Sequence, residues 1–205
     1  MAKVIDYYFI CSSPFAYLGH PAFHDLAAKH GAEIRYKPIA IFGVWEKSGS
    51  VPLGQRTPVR QRYRRIELQR IADIRGLPLN LEPKFFPVDS SLADRCAAVL
   101  VEQGKDPSGY LWHAHQGVWT NEENIADADQ LAIWLTAEGH DAQAVLAAAQ
   151  ESQAAAIIAK NTQEATEVDA IGAPVYVLNG EPFWGQDRLD YLDHALSTGR
   201  APFRA

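Results

Sequence analysis

The sequence predicts an α/β protein in which a strand–helix–strand unit begins the chain, a block of helices follows, and a strand–strand–helix unit ends it. Near the N-terminus, residues 4–11 and 34–39 have the composition of strands and flank a helical segment. Near the C-terminus, Asn179-Gly180 separates two short strand-like segments, which is a strong hairpin signal. Between these two units, capping residues and alanine-rich segments predict helices.

The N-terminal unit is predicted to be a strand, a helix and a second strand, followed by a loop. Residues 4–11 are aromatic and aliphatic with a single acid, as in a buried strand. Pro14 suits the first turn of a helix, because that position needs no backbone donor, and Gly31 ends the helix. Residues 34–39 alternate like a half-buried strand, and residues 43–54, rich in glycine, proline and serine, predict a loop.

The rest of the chain completes the pattern. Helices are predicted at about residues 57–75, 90–103, from 106 onward, 129–138, 141–149 and 152–170, strands at 173–178 and 181–184, and a last helix at 187–196. This order is that of a thioredoxin-like fold (βαβ…ββα) interrupted by an all-helical insertion. We therefore expect a thioredoxin-like domain of residues 1–42 and 171–205 and an inserted helical domain of residues 43–170.

Composition excludes several classes of protein. Of the 205 residues, 47% are hydrophobic and 21% are charged, which is typical of a globular chain, and the net charge of −6 argues against a nucleic-acid binder with a broad positive field. No apolar stretch reaches the roughly 20 residues that cross a bilayer. Asp6 interrupts the N-terminal apolar segment early, so we expect a cytoplasmic protein. Cys11 and Cys96 are far apart and are predicted to be small buried hydrophobes.

Ser13 lies where the first strand ends and the first helix begins. Free backbone donors and the positive end of the helix dipole favour an anion there, so its hydroxyl is well placed to hold a thiolate or a carboxylate. The alternative is that Ser13 only caps the helix. His20 and His24 have a spacing that could hold a metal, but no third ligand is evident, so we expect a surface face and predict no metal site.

Six motifs together resemble one family, the 2-hydroxychromene-2-carboxylate isomerases, which are relatives of kappa-class glutathione transferases and DsbA-type oxidoreductases. The resemblance spans nearly the whole chain. The motifs are Ser13-Pro14-Phe15-Ala16-Tyr17-Leu18, Arg60-Gln61-Arg62-Tyr63, Ile66-Glu67-Leu68-Gln69-Arg70, Gly76-Leu77-Pro78, Ile171-Gly172-Ala173-Pro174 and Trp184-Gly185-Gln186-Asp187-Arg188-Leu189.

The resemblance implies a glutathione site. A Cys-x-x-Cys motif occupies residues 13–16 in redox relatives, so dithiol exchange is excluded here, and the Ser13 hydroxyl is expected to hold the glutathione sulfur as a thiolate. Pro174 is expected to follow a cis peptide bond, with the Ala173 backbone pairing with the cysteinyl part of the tripeptide.

Four further residues are implied to bind the tripeptide. Gln186 and Asp187 are expected at its γ-glutamyl end, although Asp187 could instead cap the last helix. Arg60 stands in place of a lysine that pairs with a carboxylate, and Ser50 stands in place of an asparagine. The family also implies a homodimer.

The function implied is glutathione-dependent interconversion of 2-hydroxychromene-2-carboxylate and trans-o-hydroxybenzylidenepyruvate in the catabolism of aromatic compounds. One alternative is a kappa-like glutathione transferase, and another is a non-catalytic peptide-binding module that uses the cis-proline groove. Six aromatic residues could together wall an apolar cleft for the aromatic acid, although core packing is the first expectation for any one of them. They are Phe15, Trp45, Phe85, Phe86, Trp119 and Trp184.

Overall fold

In the computed structural model, which describes residues 3–204, a sheet of four strands forms the centre of the fold. The strands are β1 (Val4–Phe9), β2 (Glu33–Pro38), β3 (Val175–Leu178) and β4 (Glu181–Trp184), in the order β2-β1-β3-β4. β1 is parallel to β2 and antiparallel to β3, and β3 is antiparallel to β4. The helices are α1 (Pro14–His30), α2 (Ile41–Ser48), α3 (Pro58–Arg75), α4 (Ser91–Glu102), α5 (Ser108–Trp119), α6 (Ala128–Ala137), α7 (Ala142–Gln150), α8 (Ser152–Glu167) and α9 (Leu189–Thr198).

Side chains of the sheet alternate between two cores. Tyr7 and Phe9 lie in the larger core, where Tyr7 stacks on Tyr176 with ring centroids 5.4 Å apart. Tyr8 lies in the smaller core on the opposite face, with Val175 as a neighbour. This alternation follows from the two-residue period of a strand, so β1 and β3 are covered on both faces.

Helices from different parts of the chain cover the two faces. Residues of α1 and α9 belong to the larger core, which continues without a break into α4, α5, α6 and α7. Residues of α2 and α8 belong to the smaller core. The thioredoxin-like fold with a helical insertion is thereby confirmed, while the division at residues 42 and 170 stays a prediction.

The loop predicted at residues 43–54 is wrong over its first half, because α2 occupies residues 41–48. Ile41 and Val44 are buried three residues apart, and this contact with the sheet stabilises a helix that the glycine and serine content obscured. Gly43 lies against α8: a Cβ there would come 2.9 Å from Thr162 Cγ2. This glycine allows close packing of helices and does not mark a turn.

The last two helices also differ from prediction. α8 ends at Glu167, short of residue 170. α9 begins at Leu189, because Gln186–Arg188 form a 3-10 turn before it. Asp187 therefore lies in that turn, and α9 has no side-chain cap. Across residues 3–204, every helix is too short or too polar to cross a bilayer.

Candidate active site

Ser13 is the N-cap of α1. Its Oγ accepts a hydrogen bond from the Ala16 N–H at 3.2 Å, and only 5% of the residue is exposed. The Ser13 N–H donates to the Ile10 carbonyl at 3.1 Å, which turns the chain from β1 into α1. The capping role expected from the sequence is confirmed, and the same geometry holds the hydroxyl at the positive end of the helix.

The loop before β3 lies directly against this hydroxyl. The Ala173–Pro174 peptide bond is cis, as predicted, and Ser13 Oγ donates to the Ala173 carbonyl at 3.4 Å. This distance is long for a hydroxyl donor, since such bonds centre near 2.7–2.8 Å. The pairing of β3 with its neighbours ends at Val175, so the Ala173 backbone lies beyond the ladder.

Ser50 follows α2 and lies against the same loop. Its Oγ donates to the Ile171 carbonyl at 3.2 Å, and Ser48 Oγ donates to that carbonyl at 3.1 Å. The structure therefore brings together three of the predicted site positions, Ser13, Ser50 and Ala173, around one short segment of backbone.

Gln186 and Asp187 follow β4 and have different surroundings. Gln186 is 3% exposed, and its Oε1 accepts from Arg75 Nη2 at 3.1 Å. Asp187 is exposed and pairs with Arg188. Gly185 has φ +96°, in the region that favours glycine, and so turns the chain out of β4. Because the Gln186 side chain already has a partner, Asp187 is the more accessible of the two.

Arg60 lies on the exposed surface of α3, within a group of like charges. Burial and the nearby Arg60 charge lower the pKa of Arg56, which precedes the helix. Among the described residues, neither Arg56 nor Arg60 forms an ion pair with a carboxylate. The chain is acidic overall, yet this end of α3 carries positive charge that an anionic ligand can use.

A sequence model of the DSBA-like thioredoxin domain matches residues 4–197. The chain belongs to this family. It is 28% identical over 198 residues to the 2-hydroxychromene-2-carboxylate isomerase of Sphingobium xenophagum, covering 96% of this chain and 99% of that protein. A solved 2-hydroxychromene-2-carboxylate isomerase superposes with a TM-score of 0.83 at 26% identity, covering 95% of each chain. Glutathione S-transferase kappa 1 of Caenorhabditis elegans is 27% identical over 207 residues, covering 94% of this chain and 90% of that protein. The resemblance inferred from the motifs is confirmed.

This DSBA-like protein also has a buried polar network beneath Ser13 that sequence reasoning missed. Asp94 Oδ1 accepts from the Cys11 N–H at 2.7 Å, and Asp94 Oδ2 accepts from Ser90 Oγ at 2.8 Å. Ser12 Oγ donates to Ser90 Oγ at 3.2 Å. Burial raises the pKa of Asp94 to about 6, against the effect of the hydrogen bonds from Cys11 and Ser90. The network anchors the turn that carries Ser13.

His115 holds the same turn from the other side. Its Nδ1 lies 3.0 Å from the Cys11 carbonyl, which can only accept, so Nδ1 carries the proton. Burial lowers the pKa of His115 to about 4, and the ring is therefore neutral at pH 7. Cys11 and Cys96 are buried free thiols, as predicted.

The prediction that His20 and His24 form a surface face is wrong. His20 is 7% exposed, and its ring lies 4.0 Å from that of His24 and 5.4 Å from that of Trp112, centroid to centroid. Burial, together with the neighbouring histidines, lowers the pKa of His20. An aromatic cluster between α1 and α5 therefore takes the place of an exposed pair.

Of the six aromatic candidates, Phe86 and Trp119 line a cleft of about 310 Å³ beside α3. Phe15 packs against the larger core, and Trp184 is 48% exposed. Arg64, which the sequence analysis did not single out, also lines the cleft. The signal available for it was its four-residue spacing from Arg60, which places both on one face of a helix.

Proposed function

We propose that this protein is a glutathione-dependent isomerase that interconverts 2-hydroxychromene-2-carboxylate and trans-o-hydroxybenzylidenepyruvate, a reaction in the catabolism of aromatic compounds. The observation that carries the proposal is the position of the Ser13 hydroxyl, buried at the N-terminus of α1 and weakly bonded to the Ala173 carbonyl. The names of its relatives support the reaction class and the use of glutathione.

The residues present fit an anionic tripeptide. The Ala173 backbone lies past the end of the strand ladder and can pair with an extended peptide. Asp187 is exposed at one side and suits the γ-glutamyl ammonium group, while Arg60 suits a carboxylate. Ser50 donates to the Ile171 carbonyl, two residues before Ala173, and so helps to position the loop that the tripeptide would use.

Ser13 and the first turn of α1 would act on the sulfur of bound glutathione. When bound, glutathione would supply the thiolate nucleophile, which would add to the carbon–carbon double bond and be expelled again once the resulting single bond has rotated. Ser13 donates its hydroxyl proton as a hydrogen bond to the sulfur, and the N–H groups of the first turn of α1 stabilise the negative charge. The site thereby favours the anion, and the thiol proton is released to solvent.

The test is a spectrophotometric assay of the purified protein with the chromene acid, with and without glutathione. We expect activity only with glutathione, and a fall of about a hundredfold or more in kcat/KM for Ser13→Ala. Ser13→Thr, which keeps a hydroxyl, should retain more activity than Ser13→Ala. Ser91→Ala is the matched control, because Ser91 is exposed and lies outside the site. Equal rates with and without glutathione would refute the proposal.

A kappa-like glutathione transferase is the second candidate, favoured by the similarity to Glutathione S-transferase kappa 1. The same site would then join glutathione to an electrophilic substrate and release the stable conjugate as product. Incubation with 1-chloro-2,4-dinitrobenzene distinguishes the two: a conjugate formed without isomerase activity selects the transferase.

We also propose a homodimer that works in the cytoplasm. Val59, Tyr63 and Ile66 form an exposed apolar strip on α3, which supports a subunit contact. The free thiols of Cys11 and Cys96 suit a reducing compartment. Light scattering at micromolar protein and cell fractionation test these points, and a monomeric mass would refute the dimer.

A further inference from the structure

We infer that Arg64 forms a subsite for the carboxylate of an aromatic acid in the cleft beside α3, where Trp119 is part of the wall. This inference deepens the proposed function and rests on it for the identity of the acid. It concerns a part of the molecule that lies outside the glutathione contacts described above.

The cleft has the size and walls of a small-molecule site. Its volume of about 310 Å³ is at the lower end of ligand pockets, which run from roughly 300 to 1,000 Å³. Leu53, Leu81, Pro83 and Phe86 contribute apolar walls. Such walls favour a planar apolar ring, and the polar groups of the cleft decide which ring substituent is accepted.

Arg64 is a cation without a counterion. Its guanidinium carbon lies 5.8 Å from the centroid of the Phe86 ring and 5.9 Å from that of Phe15. Within residues 3–204 it forms no hydrogen bond and no ion pair. Its neighbour Arg65, by contrast, donates to Glu82 Oε1 at 2.9 Å.

Burial and neighbouring positive charges destabilise the unpaired Arg64 cation. Burial, with Arg56 and Arg65 adding like charge, lowers the pKa of Arg64 to about 10, so the group is still charged at neutral pH. A partly buried cation held among like charges is stabilised by any anion that reaches it. Glu82 also lines the cleft, but it is 78% exposed and is already engaged by Arg65.

Trp119 forms part of the wall of the cleft. The residue is 1% exposed, so its ring is packed into the side of the cleft and shapes the space beside Arg64. A carboxylate has two oxygens, and both can accept from the Arg64 guanidinium in a bidentate pair.

The subsite borders the Ser13 end of α1. Phe15 lies in the first turn of that helix, two residues after Ser13, and Arg64 covers its ring. An aromatic acid anchored by its carboxylate on Arg64 is thereby held beside the site proposed for the glutathione sulfur. Such an anchor fixes the orientation of the acid before reaction.

Binding of 2-hydroxycinnamate and of its methyl ester, measured by calorimetry without glutathione, tests the subsite independently of catalysis. The wild-type protein should bind the acid about tenfold to a hundredfold more tightly than the ester, since a charged hydrogen bond is lost with the ester. Arg64→Gln should abolish this preference, and Arg64→Lys should retain part of it. The control is Arg62→Gln, an exposed position on the same helix.

Equal binding of acid and ester by the wild-type protein would overturn the inference, and this comparison needs no variant. A preference that survives unchanged in folded Arg64→Gln would overturn it as well. In the isomerase assay, the expected signature of Arg64→Gln is a raised KM for the acid with an unchanged Kd for glutathione. If isomerase activity is absent while the Arg64-dependent preference persists, the proposed function fails and the subsite stands. If activity depends on Ser13 but the preference is absent, the subsite alone fails.

Discussion

Asp94→Asn removes the buried charge beneath the Ser13 turn while keeping its hydrogen bonds. The amide oxygen can still accept from the Cys11 N–H, as Oδ1 now does at 2.7 Å. The amide N–H₂ can donate to Ser90 Oγ, which then turns its own proton toward Ser12. The substitution therefore isolates the electrostatic cost of an ionised carboxylate at this position.

The magnitude follows from the pKa of Asp94, which burial raises from 3.8 to about 6. A raised carboxyl pKa means that the folded state binds the proton more tightly than the unfolded state does. The stabilisation is therefore fully present below pH 3.8 and is lost as the pH rises through 6. A shift of about 2 units corresponds to about 3 kcal/mol in the free energy of unfolding.

Urea unfolding of the wild-type protein and of Asp94→Asn between about pH 4 and pH 7 measures this effect. The free energy of unfolding of the variant, relative to the wild type, should rise by about 2 to 3 kcal/mol over that range. Subtracting the free energy of unfolding of the wild type from that of the variant removes the contributions of all groups that titrate alike in both proteins. A difference that stays constant with pH, or that falls as the pH rises, would refute the account of Asp94.

Three further predictions concern packing, capping and ligand charge. Gly19→Ala places a Cβ 2.6 Å from Gln186 Cβ, so it should lower the free energy of unfolding by about 1–3 kcal/mol in urea titrations. Ser13→Ala removes the acceptor of the α1 cap and should cost about 1 kcal/mol, whereas Ser13→Thr should cost less; equal losses would contradict the capping role. Arg60→Gln should weaken glutathione binding about two- to fivefold in calorimetry at low salt, and Arg62→Gln should leave it unchanged.

Local patterns were sufficient to predict most of the fold. The buried composition of residues 4–11, Pro14 at the start of α1 and Asn179-Gly180 between β3 and β4 act through neighbouring residues, so one sequence reveals them. α2 was missed because its stability comes from the contact of Ile41 and Val44 with the sheet. The helix propensities of residues 43–54 do not reflect that tertiary contact, so they do not predict the helix.

The candidate site also combines residues that local motifs mark with residues that only long-range contacts place. Ser13 was found because a helix start marks it, and the cis bond before Pro174 because a motif marks it. Asp94 lies 83 residues from the Cys11 N–H that it accepts from, and no local spacing connects the two. The burial of His20 likewise depends on α5, which arrives from far along the chain. Such long-range contacts become visible only in the folded structure.

The central claim is that the Ser13 hydroxyl stabilises the thiolate of bound glutathione. The thiolate absorbs more strongly in the far ultraviolet than the thiol does, so a pH titration of the protein–glutathione complex, with the protein alone subtracted, gives the pKa of the bound thiol. The account predicts a pKa below the roughly 8.5 of a free cysteine-type thiol for the wild type, and a return toward that value for Ser13→Ala. The same thiol pKa in both complexes would contradict it.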